Sequence, residues 1–316
     1  MAAEPRREDG AGIAAEPTRD FSVRFGRGEA GAAGTVALPL PVLAGEAQEV
    51  IFGAARALEP RHGIALWRSG SLLIGRASVP FVAEDLVERT RALYADVLAA
   101  CGGKPLVRIW NYVPRINAVE AGQENYRAFC AGRSLAFEGA FGDGYVEQLP
   151  AASAVGCDGD RLWIVFVAGE KAPRHFENPA QVPAYRYPAE HGPRAPSFAR
   201  ATAAVDGERR LTFISGTAAI KGHETVAPGA LEAQLDCTLD NLWLISATAG
   251  LGERLASGTG SRRHFKIYLR HARDLARVRT RLEQALLTPA DVVTYLRADI
   301  CRAALDLEIE ATVVAG

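Results

Sequence analysis

Leu307-Glu308-Ile309-Glu310-Ala311, near the C-terminus, sets two carboxylates two residues apart inside an apolar stretch. On a β-strand, residues at that spacing leave the same face roughly 7 Å apart. Leu307, Ile309, Ala311 and Val313 can then pack inward while Glu308 and Glu310 line a polar surface. Such a pair can supply a general acid, because a carboxyl group beside another carboxylate gives up its proton less readily. It can equally guard an exposed edge strand against pairing with other chains.

Further side chains with chemical potential lie upstream. Gly216 closes the apolar run Phe213-Ile214-Ser215-Gly216, where the missing Cβ lets a ligand approach the backbone or simply makes a turn or bulge. Arg194 sits in a segment stiffened by Pro188, Pro193 and Pro196, suited to gripping a carboxylate or to standing in solvent. Arg133 follows Tyr126, Phe129 and Cys130 at helical spacing, so a guanidinium falls on an apolar stripe and needs an anion, from the protein or from a ligand. Lys266 alternates with Phe265 and Ile267 and is expected to face solvent, while Cys301, seven residues before Glu308, reads as a small buried hydrophobe.

The elements that must position these residues come in the same order twice. The first pass has a hairpin over 62–79 around Ser69-Gly70, a helix over 84–100 stopped by Gly102-Gly103, a strand over 106–113, a helix over 124–137 and a strand over 162–167. After a Pro-rich connection over 173–196, a hairpin over 197–215 turns at Asp206-Gly207 and a helix spans 231–249. A strand over 264–270 leads to a helix carrying Leu275, Val278, Leu282 and Leu286, and strands over 292–300 and 306–314 end the chain. The expected fold class is α+β: two units, each a mainly antiparallel or mixed sheet with two helices packed on one face. The expected division is a flexible tail over 1–20, a first unit over 21–175 and a second over 176–316.

With 36 Lys+Arg against 37 Asp+Glu in 316 residues, no broad basic surface argues for nucleic acid or an anionic membrane, and a small molecule is the expected partner. No apolar run approaches the roughly 20 residues of a membrane span, and the N-terminal residues have no signal-peptide centre, so a cytoplasmic location is expected. Five scattered cysteines fit reduced thiols, and neither Cys-x-x-Cys nor His-x-x-x-His spacing points to a metal. No Gly-x-Ser-x-Gly elbow or phosphate loop is present, and no cofactor has a motif.

In order, Gly192-Pro193-Arg194, Phe213-Ile214-Ser215-Gly216-Thr217, Leu239-Asp240-Asn241-Leu242, Phe265-Lys266-Ile267-Tyr268-Leu269 and Leu307-Glu308-Ile309-Glu310-Ala311 resemble the reactive-intermediate deaminase (Rid) fold. A longer resemblance runs through Arg108-Ile109-Trp110-Asn111-Tyr112-Val113, the segment Tyr126 to Arg133, Asn178-Pro179-Ala180, and Tyr187-Pro188 through Thr202; these look like the chorismatase family. That resemblance implies a Rid-like catalytic half with a degenerate partner half and an activity that removes pyruvate from chorismate without a cofactor. It matches Glu308 to the catalytic glutamate and sets Arg194 and Gly216 at the ligand pocket. Arg133, Tyr187 and Lys266 complete the expected substrate contacts, and Cys301 joins Glu308 as a second expected catalytic residue, able to shuttle a proton and to shape the pocket. Gly216 with Cys301 resembles the members that make 3-hydroxybenzoate; Ala at both resembles those that make a dihydroxy-cyclohexadiene carboxylate, and a third branch makes mixed 3- and 4-hydroxybenzoate. The second half alone also suits a Rid-type imine or enamine hydrolase. A duplicated chain can supply internally the contacts that Rid proteins make between subunits, so a monomer is expected.

Overall fold

The computed structural model describes residues 18–26 and 34–316. The expected tail over 1–20 lies outside them up to residue 17, and the first strand already begins at Arg19.

The first half contributes β1 (Arg19–Phe25), β2 (Thr35–Leu38), β3 (Val42–Gly45), β4 (Gln48–Arg61), β5 (Ile64–Ser69), β6 (Leu72–Pro80), α1 (Leu86–Ala100), β7 (Leu106–Pro114), a ribbon of β8 (Val119–Glu120) and β9 (Gln123–Glu124), α2 (Asn125–Phe141), β10 (Ala151–Cys157) and β11 (Arg161–Ala168). The second contributes β12 (Arg174–Phe176), β13 (Ala201–Asp206), β14 (Arg209–Thr217), a ribbon of β15 (Ile220–Lys221) and β16 (Glu224–Thr225), α3 (Leu231–Thr248), β17 (Arg262–Leu269), α4 (Leu275–Ala285), β18 (Val292–Arg297) and β19 (Leu307–Ala315).

One sheet has the order β10-β7-β11-β6-β5-β4-β1-β2 and the other β12-β13-β14-β19-β17-β18-β3. The run β10-β7-β11-β6-β5 is repeated as β18-β17-β19-β14-β13, with the parallel pair β10/β7 matched by the parallel pair β18/β17. The duplicated α+β architecture is therefore carried in the topology itself.

Side-chain alternation divides each sheet into two faces. Ile109 and Val113 of β7 join the apolar cluster that includes Leu93, Val97 and Phe129 of the first helices, and Phe265, Ile267, Leu307 and Ile309 join the cluster with Leu242 and Leu282 of α3 and α4. The other faces meet: Trp110, Tyr112 and Val165 of the first sheet share one cluster with Phe213, Tyr268 and Leu296 of the second. Trp110 and Phe213 touch edge to face, with ring centroids 6.1 Å apart. The two hairpin turns also clasp, the backbone N–H and hydroxyl of Ser71 both donating to Asp206 Oδ1 at 2.8 Å. A Cβ on neighbouring Gly70 would lie 2.4 Å from that oxygen and would displace the clasp, and the positive φ of 57° independently favours glycine at this turn.

Four sequence expectations change. β19 lies between β14 and β17, so its glutamates do not guard an edge. Lys266 faces the other sheet rather than solvent and is only 3% exposed. Strand β10 is a run of Ala, Ser, Val and Gly buried on both faces, which shows neither alternation nor strong strand propensity and so escapes pattern reading. Finally, β3 leaves the first half of the chain and pairs antiparallel with β18, so the second sheet contains a strand from before the expected division at 175.

Because Phe213 is fully buried where the two sheets meet, Phe213→Ala should cost about 3–5 kcal/mol of stability. Urea unfolding followed by tryptophan fluorescence measures this, and a loss below about 1 kcal/mol would contradict the shared core.

Candidate active site

Glu308 and Glu310 leave β19 on the face turned toward the first sheet, and both are 3% exposed. Their surroundings separate them. Glu310 accepts from Arg108 Nη2 at 2.7 Å, Trp110 Nε1 at 2.8 Å and Ser153 Oγ at 2.5 Å, and its Oε1 is 2.8 Å from Lys266 Nζ. Burial alone would favour its neutral form, but Lys266 and Arg108 outweigh that and hold Glu310 ionised below the usual carboxylate range. Lys266 is shared with Glu49 of β4, 2.8 Å away, which also contacts His264 at 3.0 Å. A chain of buried charges thus crosses between the sheets, each with its counter-ion.

Glu308 has no such partner. No ion pair to it exists among the described residues, and its Oε1 is buried without a hydrogen bond. Loss of solvation, reinforced by the fixed negative charge of Glu310, pushes its pKa up to about 8, against the weaker pull of Arg108, Cys301 and Arg200. At neutral pH this carboxyl group carries its proton.

Glu308 opens into a cavity of about 480 Å³ between the two halves. Its wall includes Arg133, Tyr126 and Ser153 from the first half and Tyr187, Arg200, Gly216, Cys301 and Arg302 from the second. Three of these are arginines without a carboxylate partner among the described residues. Arg133 donates to the Ser197 carbonyl, and its Nε is unpaired. Arg200 donates to Tyr187 Oη at 2.7 Å with its own Nε unpaired, while Arg302 donates to the His223 carbonyl at 2.8 Å and leaves Nη2 unpaired. Tyr187 lies under two of the guanidinium groups, 5.8 Å from Arg200 Cζ and 5.2 Å from Arg302 Cζ. Two buried guanidinium groups and a half-buried third, each with a free buried nitrogen, around one space could receive an anion carrying more than one charge.

The structure thus brings together Glu308, Cys301, Arg133, Tyr187 and Gly216 of the sequence candidates. It does not bring Arg194, whose Nη2 pairs with Glu138 Oε2 at 2.7 Å near the protein surface, nor Lys266, whose ammonium is consumed by Glu49 and Glu310 behind the cavity. Arg200 and Arg302 take the place expected of Arg194. Neither had a local sequence signal, since each becomes a site residue only through where its loop folds. The Pro-rich connection proves to be cavity wall rather than a free linker: Asn178 Nδ2 donates to the Asn241 carbonyl and Gln181 Nε2 to that of Ile220, both at 3.0 Å.

Gly216 answers the ambiguity between bulge and close approach with both. The pairing of β14 with β19 slips between Ile214 and Thr217, and a Cβ at 216 would lie 1.9 Å from Glu308 Oε1. The bare backbone makes the room in which the neutral carboxyl rests. Cys301 stands on the other side as a hydrogen-bond donor to Glu308, and burial with that neighbour pushes its thiol up, so it remains S–H.

Sequence and structure comparisons show what the chain is similar to as a whole. The family described as "Chorismatase FkbO/Hyg5-like, N-terminal" matches residues 49–168. A 3-hydroxybenzoate synthase of Streptomyces hygroscopicus is 38% identical over 266 residues, covering 80% of this chain and 77% of that one. A chorismatase of Streptomyces rapamycinicus is also 38% identical, over 79% of this chain and 77% of its own length. The chain belongs to the chorismatase family. A crystal structure of a chorismatase superposes with a TM-score of 0.79 at 30% identity, over 96% of this chain and 95% of that one. Membership in the chorismatase family makes this chain an enzyme, and the cavity at Glu308 is its candidate active site.

The proton on Glu308 leaves a thermodynamic trace. In the unfolded chain an ordinary Glu ionises near 4.5, whereas here it ionises at about 8, so the native state is progressively disfavoured as pH rises between those values. Glu308→Gln removes that penalty. Its stability relative to the unsubstituted protein should therefore be nearly unchanged at pH 4 and higher at pH 8, read by urea unfolding at the two pH values; equal stability at pH 8 would mean that Glu308 is not held neutral.

Proposed function

We infer that the chain converts chorismate to 3-hydroxybenzoate and pyruvate, with Glu308 as the general acid. The observation that carries this is a neutral, buried carboxyl group with an unpartnered oxygen at a cavity ringed by three unpaired arginines. Chorismate is a dicarboxylate whose enol ether is stable until its methylene carbon is protonated, so its cleavage needs a proton donor at neutral pH and cationic anchors for two carboxylates. Arg133, Arg200 and Arg302 are the anchors, and the Tyr187 ring fixes the two from the second half. A bound dianion further disfavours ionisation of Glu308, keeping the acid loaded when it is needed.

Proton transfer from Glu308 to the enol methylene creates an oxocarbenium ion. The bond between ring C3 and the ether oxygen then breaks and releases pyruvate. The C4 hydroxyl closes on C3 as it gives up its proton, returning one proton to the site. Opening at C4 leaves the oxygen on C3, and hydrogen migration with proton exchange restores an aromatic ring. Substrate and products balance without water. The Cys301 thiol and the space over Gly216 border the reacting carboxyl group, so they shape where the ring can sit and keep bulk water from competing. Lys266, Glu49 and Arg108 act behind the cavity by holding Glu310 ionised.

Chorismate turnover followed by chromatography should give 3-hydroxybenzoate as the aromatic product. Unchanged chorismate would end the proposal, and a non-aromatic diol would end the product assignment. Glu308→Gln should lower kcat by about 10²–10⁴-fold, the usual contribution of a positioned acid. kcat/KM should fall as pH rises through about 8, where Glu308 loses its proton in the free enzyme, with the limb in kcat displaced to higher pH by the bound dianion. In Glu310→Gln the negative neighbour is gone while Arg108 and Lys266 remain, so the Glu308 pKa falls and the alkaline limb should move to lower pH. A limb that stays in place or moves upward would show that Glu310 does not set the acidity of Glu308.

We also propose that the enzyme works as a monomer in the cytoplasm. No helix among the described residues is long and apolar enough to cross a membrane, and the sheet faces bare of helices cover one another within the chain. A single species of about 34 kDa in light scattering is the expected outcome.

A further inference from the structure

At the rim of the cavity, two separate turns bring three ligand-type side chains together. Glu190 and His191 end the short helical turn Ala189–His191, and His223 lies in the turn between β15 and β16. His191 Nε2 and His223 Nδ1 are 3.0 Å apart, and Glu190 Oε1 is 3.5 Å from each. A point about 2 Å from all three atoms lies close to the plane they define, and zinc holds imidazole nitrogen and carboxylate oxygen at about 2.0–2.2 Å. We propose that Glu190, His191 and His223 form a binding site for one divalent transition-metal ion of the zinc type.

The donor set is two imidazoles and one carboxylate, the borderline mixture that such ions prefer over calcium or magnesium. Two ring nitrogens aimed at one another at 3.0 Å can share only one proton, and without a proton or a cation their lone pairs repel. The rings are also held in place. Arg302 Nη1 donates to the His223 carbonyl at 2.8 Å, and the Tyr187 ring lies 5.2 Å from His191 and 6.4 Å from His223. The nearby charges act in both directions: Glu190 favours a cation, as does Glu224, 3.3 Å from His223 Nδ1, while the Arg302 guanidinium opposes it. Two carboxylates against one guanidinium leave the rim suited to a positive ion. The sequence shows no metal-ligand spacing because His191 and His223 are 32 positions apart and meet only in the fold.

The test is titration of the intact, reduced chain with zinc by calorimetry and with cobalt by absorption spectroscopy. Expected are one ion per chain, cobalt ligand-field bands without a thiolate charge-transfer band, and affinity weakened about tenfold or more by Glu190→Gln and by His223→Ala. Glu190 is exposed, so Glu190→Gln should unfold at the same temperature as the parent in the presence of a chelator, which keeps misfolding from imitating loss of the site. No binding, binding insensitive to both substitutions, or a thiolate band showing capture by cysteine would each overturn the proposal. None of these readouts uses chorismate, so a failure of the assigned reaction would leave this result intact.

Discussion

Two carboxyl groups two residues apart on one strand, closed off from water, cannot both be charged at tolerable cost, and the structure resolves this by pairing only one of them directly with buried cations. Glu310 receives Arg108, Lys266, Trp110 and Ser153, and Glu308 receives none. The same burial that would neutralise both acts fully only on the one left without partners. A buried carboxyl group that keeps its proton at neutral pH thus arises from an unequal distribution of counter-ions along a strand, with Glu310 as the fixed charge beside it.

This inequality needs both halves of the chain. Arg108, Trp110 and Ser153 come from the first sheet, Lys266 and both glutamates from the second, and Glu49 from β4 holds the far side of Lys266. The duplicated topology turns the helix-free faces of two similar sheets toward each other, so that polar residues on those faces must find partners across the gap. Where partners are found, the result is a structural charge network. Where they are missing, at Glu308, Arg133, Arg200 and Arg302, the result is a cavity with unspent hydrogen-bonding capacity. The second half resembles a catalytic unit in sequence, but the candidate site lies at the seam, where the first half supplies Arg133, Ser153 and the counter-ions of Glu310.

Gly216 shows how local geometry serves that seam. The slip in strand pairing there and the missing Cβ together accept the Glu308 carboxyl group at a distance no other residue would permit. Burial and the fixed charge of Glu310 keep the proton on Glu308 against the weaker opposing pull of the Cys301 thiol. Destabilisation stored in this way is stability given up for function.

The alternation in Leu307 to Ala311 showed that Glu308 and Glu310 share a face, and the helical spacing of Tyr126, Phe129, Cys130 and Arg133 showed a cation on an apolar stripe. Periods of two and of about 3.6 residues are local properties of the backbone, and the repeated order of elements follows from the same patterns. Strand β10 escaped because alanine-rich segments carry no contrast between faces. The sequence left open whether the glutamates faced water, pointed Lys266 at solvent, and placed Arg194 rather than Arg200 and Arg302 at the cavity. Those answers depend on partners far away in the chain: Lys266 is neutralised by a residue 217 positions distant and Glu310 by one 202 positions distant. Which side chains share a face is written in the sequence, because backbone geometry imposes it over a few residues. Protonation and ligand binding were decided only by the tertiary structure, because they depend on which charges share a low-dielectric space once the two sheets have closed on each other.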